Sequence, residues 1–308
     1  MLSRKELRVL GVLDGPKTRS ELGDELNYTP STVTNAISRL TTLNLVVRER
    51  SGQNTVFAPT EARCLEVYQS LTKANPHIDF PDLLTASALE LFYYLSADDW
   101  TRAATLVDRS DRSKATVYRT LDRFTNRAIV VIDNSRYRLH EDFAELHTFV
   151  TEFRHHIHRN RIRRETTGGT LIWESYDEFL VRVDEPVSNA AYYRTGLDAF
   201  SEYGLEFFTT AEFYYFYSDT QRSLSPADLV CQLLLIDDGA RHRKYALLLI
   251  AATKTDHSEV RKRAAYYGLE DRLASMMTYL ETTGDESGNR LPPWEEFESL
   301  ARDYRVEV

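Results

Sequence analysis

Two short stretches of this chain gather residue types that can read nucleic acid. Ser31, Thr32, Thr34, Asn35, Ser38 and Arg39 supply hydroxyl, amide and guanidinium groups. Val33, Ile37 and Leu40 step between them at helical spacing, so the polar set falls on one face of a helix and the apolar set on the other. Ser113, Lys114, Thr116, Tyr118, Arg119, Asp122 and Arg123 repeat the arrangement later in the chain. A helix that turns such a face outward can enter the major groove of double-stranded DNA, where short donors, acceptors and a guanidinium fork meet base edges. Arg39 and Arg123 are also at positions where an intrahelical salt bridge would occupy them.

The elements that must position these faces form a repeat. Thr18-Arg19-Ser20-Glu21 is echoed by Thr101-Arg102-Ala103-Ala104, Ser31-Thr32-Val33 by Ala115-Thr116-Val117, and Leu45-Val46-Val47 by Ile129-Val130-Val131. The spacing predicts helix, helix, turn, helix and a two-stranded ribbon in each copy. In the first, Ser3 caps a helix over 4–13 with Glu6 three residues on, and Thr18 caps a second to Leu26 with Glu21. The third helix runs over 31–43, and the ribbon over 45–50 and 55–58 with its turn at 51–54. The second copy has its third helix over 113–127 and its ribbon over 129–140.

The strings Thr18-Arg-Ser-Glu-Leu-Gly-Asp-Glu-Leu, Ser31-Thr-Val-Thr-Asn-Ala-Ile-Ser-Arg-Leu and Leu45-Val-Val-Arg-Glu-Arg resemble winged helix-turn-helix regulators of the MarR and ArsR kind. Ser113-Lys-Ala-Thr-Val-Tyr-Arg-Thr-Leu-Asp-Arg-Phe continues the likeness, which covers about residues 1–140. The resemblance implies groove reading by the third helices, with Arg48, Arg50, Arg136 and Arg138 on the wings near the DNA backbone or minor groove. Some winged helices serve protein contacts alone; the polar, Arg-containing outer faces favour DNA here.

Charge supports a division of labour. The chain of 308 residues carries a formal charge of -9, which by itself argues against phosphate binding. Its distribution is uneven: residues 1–165 hold 24 Lys/Arg against 22 Asp/Glu, and residues 166–308 hold 14 against 25. Within 101–140 there are nine Lys/Arg and four Asp/Glu, so the second copy is expected to grip phosphate more strongly. Acidic composition with Arg preferred to Lys suits a salt-rich cytoplasm. The apolar runs fall short of the roughly 20 residues of a membrane helix, and a cytoplasmic location is expected. Cys64 and Cys231 stand without the spacing of a zinc or disulfide framework.

A helix is expected over 61–74, and residues 75–82 read as a break. Residues 141–165 read as one helix whose end is rich in Arg and His. His155 and His158 share a face, but no further ligand stands at matching spacing, so a solvated basic helix is expected rather than a metal site. Gly168-Gly169 marks a boundary. Beyond it, strands are expected over 171–173, 178–183, 205–208 and 212–217, a helix near 190–203, and helices over 229–235, 243–252, 258–267 and 269–280 before a loop at 285–293 and a last helix. The aromatic run 213–217 can line an effector pocket or pack into a core. Glu174, Asp177, Glu178 and Asp184 after Gly168-Gly169-Thr170 bring to mind the metal carboxylates of a nucleotidyltransferase. That chemistry needs two carboxylates one residue apart on a strand, whereas Asp177 and Glu178 are adjacent, so no enzyme is expected. Tyr193-Arg-Thr-Gly-Leu-Asp-Ala-Phe-Ser-Glu-Tyr-Gly-Leu and Ser225-Pro-Ala-Asp-Leu-Val are similar, in fragments, to abortive-infection antitoxins, which implies an alternative role beside a toxin.

The fold expected is α+β: winged helix-turn-helix domains over 1–74 and 75–140, a basic linker helix over 141–167, and a mixed α/β domain over 168–308 that serves regulation or oligomerisation. The function expected is sequence-specific DNA binding by a transcription regulator, as a repressor, without cofactor or metal. The partners expected are double-stranded DNA, a second copy in a homodimer, and a small-molecule effector or toxin protein.

Overall fold

The computed structural model describes residues 2–110, 112–208, 212–220, 223–285 and 291–308. The chain divides into two compact units, 1–160 and 161–308.

In the first unit, α1 (Arg4–Val12) and α2 (Arg19–Leu26) both begin in complete capping boxes, Ser3 with Glu6 and Thr18 with Glu21. Two of the N–H groups at each helix start are thereby satisfied. Asn27 ends α2 in the left-handed region at φ 53°. Helix α3 (Pro30–Thr42) starts on Thr29, whose hydroxyl accepts from the Thr32 amide, and Pro30 occupies its first turn where the missing N–H costs nothing. Strands β1 (Val46–Ser51) and β2 (Asn54–Pro59) form the hairpin, and Lys17 bridges to Phe57 at its side. Helix α4 (Arg63–Ala74) closes the module, with Tyr68 Oη donating to the Leu7 carbonyl at 3.1 Å.

The segment expected to be a break holds one helical turn, α5 (Phe80–Leu83), because Asp79 caps it and Phe80 and Leu83 are buried. Then α6 (Ala86–Tyr94), β3 (Thr101–Arg102), α7 (Ala103–Arg109), α8 (Lys114–Thr125), β4 (Val130–Asp133) and β5 (Arg136–Leu139) repeat the order of the first module. The three strands lie in the order β3-β5-β4, so β3 meets β5 where Lys17 meets Phe57 in the first copy. The repeat extends to the backbone. Asn44 and Ala128, each following its third helix, both take a left-handed φ of 53° and 54°. In the second hairpin Asn134 and Ser135 both have positive φ, as a two-residue turn matching strand twist requires.

Helix α9 (Ala144–Glu165) follows a 3-10 turn over 141–143. Its portion in the first unit is stitched down: Glu145 accepts from Ser70 at 3.3 Å, and His147 Nδ1 donates to the Phe92 carbonyl at 2.9 Å. The expectation of a solvated basic helix is corrected here, since Arg154 and His158 are 8% and 2% exposed. Leu146, Phe149, Val150 and Phe153 are buried along the same helix.

The second unit is built on a four-stranded antiparallel sheet ordered β6-β7-β9-β8, from β6 (Thr170–Glu174), β7 (Phe179–Val183), β8 (Tyr192–Thr195) and β9 (Phe213–Tyr217). The helix expected near 190–203 is instead β8 followed by a 3-10 turn over 197–203, and 205–208 is not a strand. Tyr192 to Thr195 pair with β9 throughout, and that ladder overrides local helix propensity. Along β9 the alternation splits the aromatics: Tyr215 and Tyr217 join Phe179, Val181, Val183 and Ile162 on one face, while Phe216 packs with the helices on the other. Those helices are α10 (Pro226–Ile236), α11 (Ala240–Thr253), α12 (His257–Tyr267), α13 (Glu270–Glu281) and α14 (Trp294–Asp303).

Gly168 and Gly169 lie inside this unit rather than at its edge. A Cβ on Gly168, whose φ is +63°, would fall 1.7 Å from an Asp184 carboxylate oxygen. The last turn of α9 belongs to the unit as well, since Ile162 is 4% exposed in its core.

A buried polar chain ties sheet to helices. Thr195 donates to Gln232 at 2.5 Å, Gln232 to Tyr267 at 2.8 Å, and Tyr267 to Asp228 at 3.0 Å, while Arg263 Nε donates to the same carboxylate at 2.7 Å. Asp228 also completes the α10 capping box with Ser225. Asp228→Ala would leave the largely buried Arg263 uncompensated, a loss of about 3–5 kcal/mol. Urea unfolding of the full chain should show it. A loss below about 1 kcal/mol would mean that the network does not hold the unit together.

Candidate nucleic-acid interface

Helix α3 buries Val33, Ala36, Ile37 and Leu40. Ser31, Asn35, Ser38 and Arg39 are therefore exposed on its other side, with Thr32 and Thr34 half-buried at the margins. The hydroxyls at its start are partly committed: Thr29 Oγ1 lies 3.1 Å from Ser31 Oγ and 3.0 Å from Thr32 Oγ1. Asn35, Ser38 and Arg39 are the forward part of the face. On the hairpin, Arg48 and Arg50 are two residues apart and both exposed, which puts them on the same side of β1.

The end of α3 is anchored by α9. His156 Nε2 lies 2.9 Å from the Leu43 carbonyl oxygen, which also accepts from Asn160 Nδ2 at 3.4 Å. Both donors come from residues four apart on one helix face. The carbonyl groups that a helix end leaves unsatisfied are the point of attachment.

Helix α8 starts on Ser113, whose hydroxyl accepts from the Thr116 amide and lies 3.0 Å from the Thr116 hydroxyl. It buries Val117, Thr120, Leu121 and Phe124 and exposes Lys114, Tyr118, Arg119 and Asp122. The Lys114 ammonium sits 5.9 Å from the centre of the Tyr118 ring. Arg123 leaves this face. It donates to the Asp82 carbonyl at 2.8 Å and is half-buried, so its charge holds α8 against the α5 turn. Asp82 and Asp79 are in turn paired with Arg4 and Arg8 of α1, the Arg8–Asp79 contact being 2.8 Å. One acidic turn thus ties together α1 of the first module and α8 of the second.

The second wing divides its arginines in the same way. Arg136 is exposed, whereas Arg138 donates to the Ala97 carbonyl at 3.1 Å and lies over Trp100 at 4.8 Å. A residue not singled out from the sequence joins Arg136: Arg102 of β3 is its direct partner in the strand register and is also exposed. Like charges placed opposite each other repel, and an anion between them removes that cost. The Thr18/Thr101 echo carried the only sequence signal for Arg102, since a two-residue strand has no periodicity to read.

Among the described residues no group of three His, Cys, Asp or Glu side chains is placed to hold a metal ion, and no helix is long and apolar enough to cross a membrane. Cys64 and Cys231 are buried free thiols, and burial pushes the Cys64 thiol up to about 12.

Residues 2–54 match the model of the MarR family, and this segment is a MarR-type winged helix-turn-helix. Residues 189–306 match a family model described as HVO_2833_C, C-terminal. No curated protein and no solved structure matches the chain.

The two fates of arginine are separable by stability. Arg123→Ala removes a charge-assisted bond to a backbone carbonyl and should cost about 1.5–3 kcal/mol in urea unfolding. Arg136→Ala, on the open surface, should change stability by no more than about 0.5 kcal/mol. Equal effects would show that Arg123 is not part of the joint.

Proposed function

We propose, from the MarR-family winged helix over residues 2–54 and its structural repeat over 86–139, that this chain is a sequence-specific double-stranded DNA-binding transcription regulator, acting as a repressor and reading DNA with both modules. The observation that carries the reading is the paired arrangement of α3 and α8. Each buries an apolar stripe and turns donors, acceptors and cations outward beside an arginine-bearing hairpin. Base edges in a major groove call for such groups, and the hairpins supply charge for the phosphates.

The modules differ in emphasis. The face of α3 offers Asn35, Ser38 and one guanidinium, Arg39, and is suited to discrimination. The face of α8 offers Lys114, Tyr118 and Arg119, with Arg136 and Arg102 beside it, and is suited to electrostatic grip. Asn35 is the residue assigned to a base edge, because an amide can pair bidentately with adenine. The second unit, with most of the negative charge, takes the regulatory or oligomerising role, and a homodimer fits the MarR likeness. No catalysis is assigned to it: Asp177 and Glu178 lie between β6 and β7, and Glu178 accepts from Tyr266.

Anisotropy titrations of the full chain on labelled duplex DNA at several salt concentrations test the reading. Arg102→Ala and Arg136→Ala should each lower the slope of log K against log salt by about 0.9 on every sequence. Asn35→Ala should cost about 1–3 kcal/mol on a selected site and little on random DNA. A folded chain that binds no duplex at low salt would overturn the DNA role. An unchanged slope in the Arg102/Arg136 double variant would confine the DNA contact to the first module.

A further inference from the structure

In the second unit a cavity of about 500 Å³ opens where the sheet meets the α10–α11 corner. Its apolar wall is made by Leu197, Leu233, Ile236 and the ring of Tyr214. Gly196 stands against this wall, where its φ of +74° favours glycine and a Cβ would lie 3.4 Å from both Ile236 and Tyr214. The volume lies within the roughly 300–1,000 Å³ of small-molecule sites.

One polar group in the lining is held in a defined state. His242, with its side chain 16% exposed, has Nδ1 2.9 Å from Asp237 Oδ2, and the other oxygen of Asp237 accepts from the Gly239 amide at 2.9 Å. Asp237 is therefore fixed in place, and a carboxylate oxygen this close to Nδ1 favours the tautomer that carries its proton there, although the two atoms are not in line for a hydrogen bond. Burial lowers the His242 pKa below its ordinary value of 6.5, more than Asp237 restores it, so the ring is neutral at pH 7 and Nε2 carries a lone pair. Among the described residues no group donates to that nitrogen.

The other polar groups around the cavity decide the charge of an occupant. Asp198, Glu212 and Asp237 all contribute to its lining. Asp198 is satisfied by Arg194 at 3.0 Å, and Glu212 by Arg182 at 3.1 Å and Tyr214 at 2.7 Å. The Arg241 guanidinium is turned to the Phe208 carbonyl at 3.4 Å and lies over Tyr245. With three carboxylates and one guanidinium in its lining the cavity disfavours an anion, and an unfilled acceptor above an apolar wall favours a donor on a flat apolar body.

We propose that this cavity is a binding site for a small uncharged or cationic aromatic molecule that carries an N–H or O–H donor, with His242 Nε2 as the acceptor that orients it. The site belongs to the second unit alone and does not depend on the assignment of the DNA-reading faces.

Indole, 1-methylindole and indole-3-carboxylate are the probes, titrated calorimetrically into the full chain without DNA. Indole should bind with one-to-one stoichiometry. 1-Methylindole, which lacks the donor, should bind about tenfold more weakly, the equivalent of 1.4 kcal/mol, and the carboxylate should not bind. His242→Leu should bind indole and 1-methylindole alike, and Leu197→Trp, which fills the cavity from a half-buried position, should bind neither while keeping the circular dichroism of the parent chain. The proposal is overturned if indole does not bind up to its solubility limit, if indole and 1-methylindole bind the parent chain equally, or if Leu197→Trp leaves indole binding intact.

Discussion

The apolar stripes of α3 and α8 are the constraint on which the first unit depends. Val33, Ile37 and Leu40 are each no more than 2% exposed, and so are Val117, Leu121 and Phe124. Residues three and four apart lie on one side of a helix, so fixing these six inward leaves no freedom in what faces outward. Asn35, Ser38, Arg39, Lys114, Tyr118 and Arg119 are presented because their neighbours are buried. At roughly 25 cal/mol per Å² of apolar surface removed from water, the same burial supplies the stabilisation that holds the presenting helices still.

Around those helices the chain sorts its cations into two groups. Arg123 and Arg138 are drawn back to backbone carbonyls, and Arg4 and Arg8 pair with the acidic turn at Asp79 and Asp82. Arg39, Arg48, Arg50, Arg119, Arg102 and Arg136 remain on the surface. An arginine bound to a carbonyl still carries its charge, but its fork of donors is engaged and its position is set by the fold. Net charge over a segment therefore overstates what is available to a phosphate. The second module is positively charged over its length, yet Arg123, Arg138 and Arg112, the last paired with the buried Glu90, serve the fold.

The second unit solves a different problem. A four-stranded sheet covered on one face by helices and on the other by an aromatic cluster needs polar groups within it to be paired. The chain from Thr195 through Gln232 and Tyr267 to Asp228 and Arg263 does this across three elements, β8, α10 and α12. Close by, the cavity at the α10–α11 corner leaves one acceptor of His242 unfilled. The contrast between a satisfied network and an open acceptor in the same unit marks the cavity as a place where something else can bind.

Apart from the α5 turn, the helices of the first unit, their order and its repetition were legible in the residues, because each depends on neighbours close in the chain. Ser3 and Glu6, and Thr18 and Glu21, cap helix starts within three residues, and the apolar stripes repeat within a turn or two. The hairpins were legible for the same reason. What escaped was decided at long range. Arg123 finds the Asp82 carbonyl and Arg138 the Ala97 carbonyl, each 41 residues away, and no local pattern states which arginine will be drawn inward. Strand β8 exists because β9 offers it a ladder, although it lies about twenty residues away in the chain. His158 is buried although the stretch around it, 154–164, is rich in Arg and His. Periodicity set which face of a helix turns away from the core, since burial follows spacing; only the tertiary structure decided which charged groups on that face remained free, since a side chain's partner is chosen by proximity in space.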